Sequence, residues 1–188
     1  MKLNLGCGSR KLAGFVNVDS APHCEPDRLV DLETLPWPFE TSCAEEIVLS
    51  HVLEHLGQTP KLYLAIIQEL YRVCAPGALV RITVPHPRHD DYLSDPTHVR
   101  PITLQGLELF SRRKNLDWQA KGQSATPLAL VLGVDFEVVS ADAQPEEPWL
   151  GRLRRREITG QELAFAARSY WNVIRATDIV LRAVKSAP

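Results

Sequence analysis

Short apolar runs recur along the chain, each followed by a turn signal or by a longer stretch in which apolar residues return every three or four positions. That alternation is the signature of an α/β protein built on a mostly parallel sheet. Lys2 to Leu5, Phe15 to Asp19, Arg28 to Leu32, Glu46 to Ser50 and Leu79 to Val84 carry the aliphatic and β-branched residues that favour strands. Between the last two, Pro60 to Cys74 places Leu62, Ile66, Ile67, Leu70, Tyr71 and Cys74 at helical spacing and meets a stop at Pro76 and Gly77. The pattern predicts a strand, helix, strand unit. Further on, Leu104 to Arg113 and Gln161 to Tyr170 predict helices, and Val134 to Ala141 a strand. Ile179 to Val184 can continue the preceding helix or form a last strand. Its β-branched residues favour the strand, antiparallel to Val134 to Ala141.

The connections set limits on this picture. Only Ser9 to Gly14 separate the first run from the second, and a crossover helix needs about ten to twelve residues. Ser20 to Asp27 is as short and is broken by Pro22 and Pro26. Helices after the first and second strands are therefore reduced or vestigial, and one face of the sheet is thinly covered. The C-terminal half of the chain, or a second copy in a homodimer, is expected to cover it.

A chain of 188 residues fits one domain, with residues 1–85 as a ligand-binding half and residues 86–188 as a substrate-side half. The apolar share of 45% and charged share of 23% are those of a soluble globular protein, and a net charge of -2 offers no electrostatic hold on nucleic acid. The one basic run, Arg152 to Arg156, reads as a solvated helix face. No run approaches the roughly 18 apolar residues of a membrane span, and the opening MKLNLGCG lacks the apolar core of a signal peptide, so a cytoplasmic location without membrane contact is expected. Cys7, Cys24, Cys43 and Cys74 are scattered and read as reduced thiols.

The chemistry begins at Leu3 to Ser9, LNLGCGS, where Gly6 and Gly8 directly follow a buried strand and the backbone must turn sharply and present amides. Asp19 ends the second run and Asp31 lies at the end of the third. In open parallel sheets ligands sit beyond the carboxyl ends of the strands, and an acid ending the second strand is placed to accept from ribose hydroxyls. The pattern predicts a nucleoside site. A nicotinamide domain is disfavoured, since Ser9, Arg10 and Lys11 follow Gly8 where a full G-x-G-x-x-G would continue.

LNLGCG, GFVNVD, DLETLPWPF, SHVLEHL and ELYRVCAPGALVRITVP, in this order, resemble the class I methyltransferases, in particular a small subfamily similar to the type 11 group. The resemblance covers about the first half of the chain. It implies a Rossmann-like methyltransferase sheet and S-adenosylmethionine as cofactor. It also implies Gly6, Cys7 and Gly8 against the methionine part and Asp19 on the ribose, with Asp31 and Leu32 near adenine and Ser50 and His51 beside the sulfonium. Asn4 stands where many such enzymes carry an acid that holds the cofactor's amino group. It accepts a hydrogen bond more weakly.

Candidate catalytic groups are His51 and the segment His86 to His98, HPRHDDYLSDPTH, which follows the fifth strand and so shares the cofactor's rim. Within it His86, His89, Asp90, Asp91, Asp95 and His98 are the types that serve as general base, grip a polar small-molecule substrate or bind a divalent metal. A structural loop with capping aspartates is the plainer alternative. His51 to His55, HVLEH, also matches the H-x-x-E-H pattern of some zinc peptidases, which places both histidines on one face of a long helix. Here the string directly follows a strand and runs into Gly57; the resemblance instead gives Glu54 and His55 the role of orienting the loop and capping a short helix. A further reading keeps the fold as a cofactor-binding module without turnover. Trp37, Phe39, Trp149 and Trp171 read as packing residues.

Overall fold

The computed structural model describes residues 1–185. Its centre is a seven-stranded sheet of β1 (Lys2–Leu5), β2 (Val16–Asp19), β3 (Arg28–Leu29), β4 (Ala44–Ser50), β5 (Cys74–Pro85), β6 (Phe136–Pro145) and β7 (Ile174–Ala183). They lie in the order β3-β2-β1-β4-β5-β7-β6. The pairs among β1 to β5 are parallel, and β7 runs antiparallel to both neighbours, so β6 points the same way as β1 to β5. The expected pairing of the last strand with Val134 to Ala141 is present, with Phe136 opposite Ala183.

The helices are α1 (Pro60–Val73), α2 (Asp90–Leu93), α3 (Leu104–Glu108), α4 (Arg112–Ala120), α5 (Leu128–Leu132), α6 (Trp149–Arg154) and α7 (Gly160–Ser169). Thr59 caps α1 by accepting from the Leu62 amide, and Pro60 starts it where a missing N–H costs nothing. Its face of Ile66, Ile67, Leu70 and Val73 meets Leu3, Leu5, Ile47, Leu49 and Val80 in the main core. The single helix expected over Leu104 to Arg113 is two, because Ser111 leaves helical geometry and caps α4 at Lys114. Pro76 and Gly77 do not merely stop α1. They lie in an irregular stretch of β5, whose pairing with β4 jumps from Ala44 and Cys74 to Glu46 and Leu79. The third strand is only Arg28–Leu29, because Val30 to Thr34 enter a turn held by the Asp31 side chain.

The missing helices leave a visible mark. One row across the sheet joins Asn17, Asn4, Val48, Arg81, Val180 and Ser140 on the face opposite α1. Val48 and Val180 belong to neither apolar cluster of the described residues. This face is polar: Glu46 bridges Lys2 at 2.9 Å and Arg81 at 2.7 Å, and Asp178 accepts from Thr83 at 2.6 Å. The C-terminal half does not cover it. The α7 helix packs Leu163 and Ala166 with Val173 and Ile174 in a second cluster, and borders Thr177, which pairs with Val84 and so lies on the α1 side. A sheet normally buried on both sides is tolerated half bare because these strands alternate instead of running apolar throughout.

Side chains replace the helix between β1 and β2. Asn17 Oδ1 accepts from Asn4 Nδ2 at 2.9 Å and from the Leu12 amide at 2.8 Å, while Asn17 Nδ2 donates to Asp27 at 2.9 Å. Asn4 Nδ2 also donates to the Arg10 carbonyl at 2.9 Å. Both asparagines are buried, which shields the bond between them from competing water, while Asp27 at the outer end of the network is exposed.

Candidate functional site

The carboxyl ends of β1, β2 and β4 form one rim. At Gly6 and Gly8 the backbone is left-handed, with φ of +67° and +49°. A Cβ at Gly6 would come within 2.4 Å of Val52 Cγ2, whereas one at Gly8 would meet nothing within 4 Å. Gly6 is thus required by packing, and Gly8 borders open space. Asp19 Oδ2 accepts from the Gly8 amide at 2.8 Å and Oδ1 from the Ala21 amide at 2.9 Å. Each oxygen keeps a lone pair for another donor. Cys7 is buried, its amide is taken by the Val18 carbonyl, and burial raises its thiol above the ordinary range, so it is no nucleophile.

Asn4 has a structural reason to be an amide. Its Nδ2 faces two oxygens, those of Arg10 and Asn17, to which a carboxylate has no proton to give. A groove of about 330 Å³ opens on the bare face beside this loop, bordered by Asn4, Gly6, Cys7 and Ser50. Asp31 lies past β3, exposed, accepting from the Glu33 amide and the Thr34 hydroxyl at 2.9 Å each. Leu32 is buried, and its carbonyl accepts from Trp37 Nε1 at 3.0 Å. Trp37 and Phe39 are core residues; Trp149 is half-buried beside the second cluster, and Trp171 is exposed rather than packed.

The catalytic candidates separate. Among them, His51 follows β4 directly, exposed, with a φ of 55° and its Nδ1 3.5 Å from Glu54 Oε1. By contrast His89 is buried and caps α2, accepting from the Asp91 amide at 3.0 Å. Asp91 pairs with Arg175 at 2.9 Å, and Asp90 with Asn172 at 2.8 Å, which staples the loop to the start of β7. Half-buried His86 accepts from the Arg88 amide, and burial lowers its pKa. Asp95 holds Thr97 through both amide and hydroxyl, and those bonds keep its carboxyl below the ordinary range. Much of His86 to His98 is thus the capped structural loop.

His98 is the exception. Although 43 residues after His55, it packs edge-on against it with ring centroids 4.6 Å apart. Glu54 lies between them and His51, fully buried, with neither carboxyl oxygen in a hydrogen bond. It caps nothing, contrary to the role the resemblance implied. Leu53–His55 is one turn of 3-10 helix rather than part of a long helix, so the peptidase arrangement does not form. Sequence reasoning missed the meeting of Glu54, His55 and His98, for which the only signal was the polar richness of two separate segments.

No family model matches the sequence, and no curated protein is similar to it at sequence level. Solved structures do share the fold. A SAM-dependent methyltransferase from Archaeoglobus fulgidus superposes with a TM-score of 0.63 at 14% identity, over 96% of this chain and 85% of that one. A SAM-dependent methyltransferase from Methanosarcina mazei gives 0.55 at 16%, over 98% and 92%. Phosphoethanolamine N-methyltransferase 2 of Haemonchus contortus, in complex with S-adenosyl-L-methionine, gives 0.54 at 14%, over 98% of this chain and 48% of that one. The chain therefore has the Rossmann-like fold of class I methyltransferases, and no helix among the described residues is long and apolar enough to cross a membrane.

Proposed function

We propose that this protein binds S-adenosylmethionine at the carboxyl ends of β1, β2 and β4 and transfers its methyl group to a small-molecule acceptor. The observation that carries the reading is the Gly8 amide bonded to Asp19 at 2.8 Å, in a fold shared with methyltransferases. The residues fit the cofactor. Gly8 leaves room for it to approach, Asp19 retains acceptor capacity for the ribose hydroxyls, and exposed Asp31 can accept from the adenine amine with buried Leu32 beside it. Asn4, Gly6, Cys7 and Ser50 border the groove where the methionine part belongs.

When bound, the cofactor supplies an electrophilic methyl group on a sulfonium. The protein's task is then alignment and, for a protic acceptor, removal of a proton. His51 is the residue for that step, because it is exposed at the β4 rim and Glu54 lies 3.5 Å from its ring. His89 and Asp91 are not assigned catalysis, since each is committed to holding the loop. A net charge of -2 supports a small acceptor over nucleic acid. The second reading, a module that binds the cofactor without turnover, is favoured by the absent helices over the β1 to β3 half.

Calorimetric titration with S-adenosylmethionine and its demethylated product tests the site. Micromolar binding lost in Asp19→Ala supports it, and no binding by the intact protein rejects it. Binding with no methyl transfer in an acceptor screen selects the second reading.

A further inference from the structure

We infer that Glu54, His55 and His98 form a binding site for one divalent first-row metal ion. One ligand atom from each of the three residues lies within 4.8 Å of the others. Glu54 is 0% exposed, and both its carboxyl oxygens lack a hydrogen-bond partner. A buried carboxyl group with no hydrogen bond, and only the exposed His51 ring 3.5 Å away, is a costly arrangement in a protein interior, and a cation held between its oxygens and two imidazoles removes that cost. The nearby guanidinium does not serve. Arg100 stacks over Tyr63 at 4.2 Å and donates to the Gly57 carbonyl, forms no ion pair with Glu54, and has a buried Nε that is itself unpartnered.

The surroundings already orient both imidazoles as ligands. His98 Nδ1 lies 2.7 Å from the Tyr92 carbonyl, which only accepts, so Nδ1 carries the proton and Nε2 the free lone pair. His55 Nδ1 lies 2.9 Å from Thr97 Oγ1, whose own proton goes to Asp95 Oδ1 at 2.6 Å. The hydroxyl therefore accepts from Nδ1, and Nε2 of His55 is free as well. Outward hydrogen bonds of this kind, from a ligand's second nitrogen to a carbonyl or through a hydroxyl to a carboxylate, typify metal-binding histidines. The Val99 amide bonds to the Glu54 carbonyl at 2.9 Å, so backbone joins the two segments that supply the ligands. Donors about 2.1 Å from an ion lie roughly 3.4 Å apart in a tetrahedron, so the three groups close by about an ångström on binding. Two nitrogens and a carboxylate suit Zn²⁺, Mn²⁺, Fe²⁺ or Co²⁺ better than Ca²⁺. The ligands follow β4 and β5 and include none of the glycine loop, so the site stands whether or not the cofactor reading does.

The test is titration of the metal-free full chain with Zn²⁺ by calorimetry and with Co²⁺ by visible absorption. One equivalent should bind and raise the melting temperature. Affinity should fall at least tenfold in His98→Ala and Glu54→Gln, while His23→Ala, on a remote 3-10 turn, binds as the parent does. Glu54→Gln should also be more stable than the parent when metal-free, which shows that it folds. No saturable binding by the parent, or binding unchanged in both His98→Ala and Glu54→Gln, overturns the inference.

Discussion

The two halves of the sheet solve one problem in different ways. Between β4 and β5 the chain has room for α1, and Ile66, Ile67, Leu70 and Val73 hold the crossover by burying apolar area. Between β1 and β2 it has none, and the buried pair Asn4 and Asn17 holds the connection through hydrogen bonds, with Asp27 behind them. An apolar crossover tolerates sliding and exchange of similar volumes, whereas a polar one works only if each donor meets its acceptor. The proposed cofactor site sits on the second kind, which holds the glycine loop at a defined place without a helix behind it.

The largest effect should come from the apolar half. Leu70→Ala, at a position 1% exposed, should cost about 2–5 kcal/mol in denaturant unfolding yet leave cofactor affinity nearly intact. Asn17→Ala should cost less, about 1–3 kcal/mol, by leaving the Leu12 amide without a partner and Asn4 Nδ2 with only the Arg10 carbonyl. It should weaken cofactor binding severalfold, because the loop moves; if the two variants affect affinity equally, the contrast between the halves fails. Gly8→Ala should cost only about 1 kcal/mol for its left-handed backbone, with no clash, and abolish binding. A variant that still binds would place the cofactor elsewhere.

The smallest effect sharpens the contrast through pH. Hydrogen bonds from the backbone and then the side chain of Asn17 hold the Asp27 carboxyl below its ordinary 3.8, and those of Arg72 hold Glu69 below its ordinary 4.5. Each depressed value is stabilising above the ordinary pKa and loses that contribution as pH falls through the folded value. Asp27→Asn and Glu69→Gln should each flatten the loss of stability below about pH 4, and thermal unfolding from pH 2 to 7 reads this. A curve as steep as the parent's in either variant would show that its carboxyl is not held.

Legibility in the sequence followed the same division. The α1 unit and the pairing of the last strand could be read because apolar spacing reports burial directly, as Ile66, Ile67 and Leu70 do. Gly6, Gly8 and Asp19 could be read because their residue types are demanded by a turn after a strand. The polar network could not, since Asn17 offers no periodic signal and its partners lie up to 13 residues away. His89 offers the same letter whether it caps a helix or does chemistry, and only the structure shows its ring buried and accepting from the Asp91 amide. Glu54 and His98 meet only through the crossing of two loops, and spacing along the chain carries no record of that.

The position of β7 bears on how the chain is made. The last strand in chain order does not lie at an edge; it is inserted between β5 and β6. During synthesis from the amino end, β5 therefore emerges with one side unpaired and waits for roughly ninety further residues before Ile174–Ala183 arrive to join it to β6. Until then the nascent chain carries an open strand edge in its middle, rich in Val and Ile, which is the kind of surface that recruits other chains. Arg81, midway along β5 and paired with Glu46 of β4 on its already formed side, is the one charge that this strand carries through the delay, and a charge within such a strand disfavours pairing with other chains.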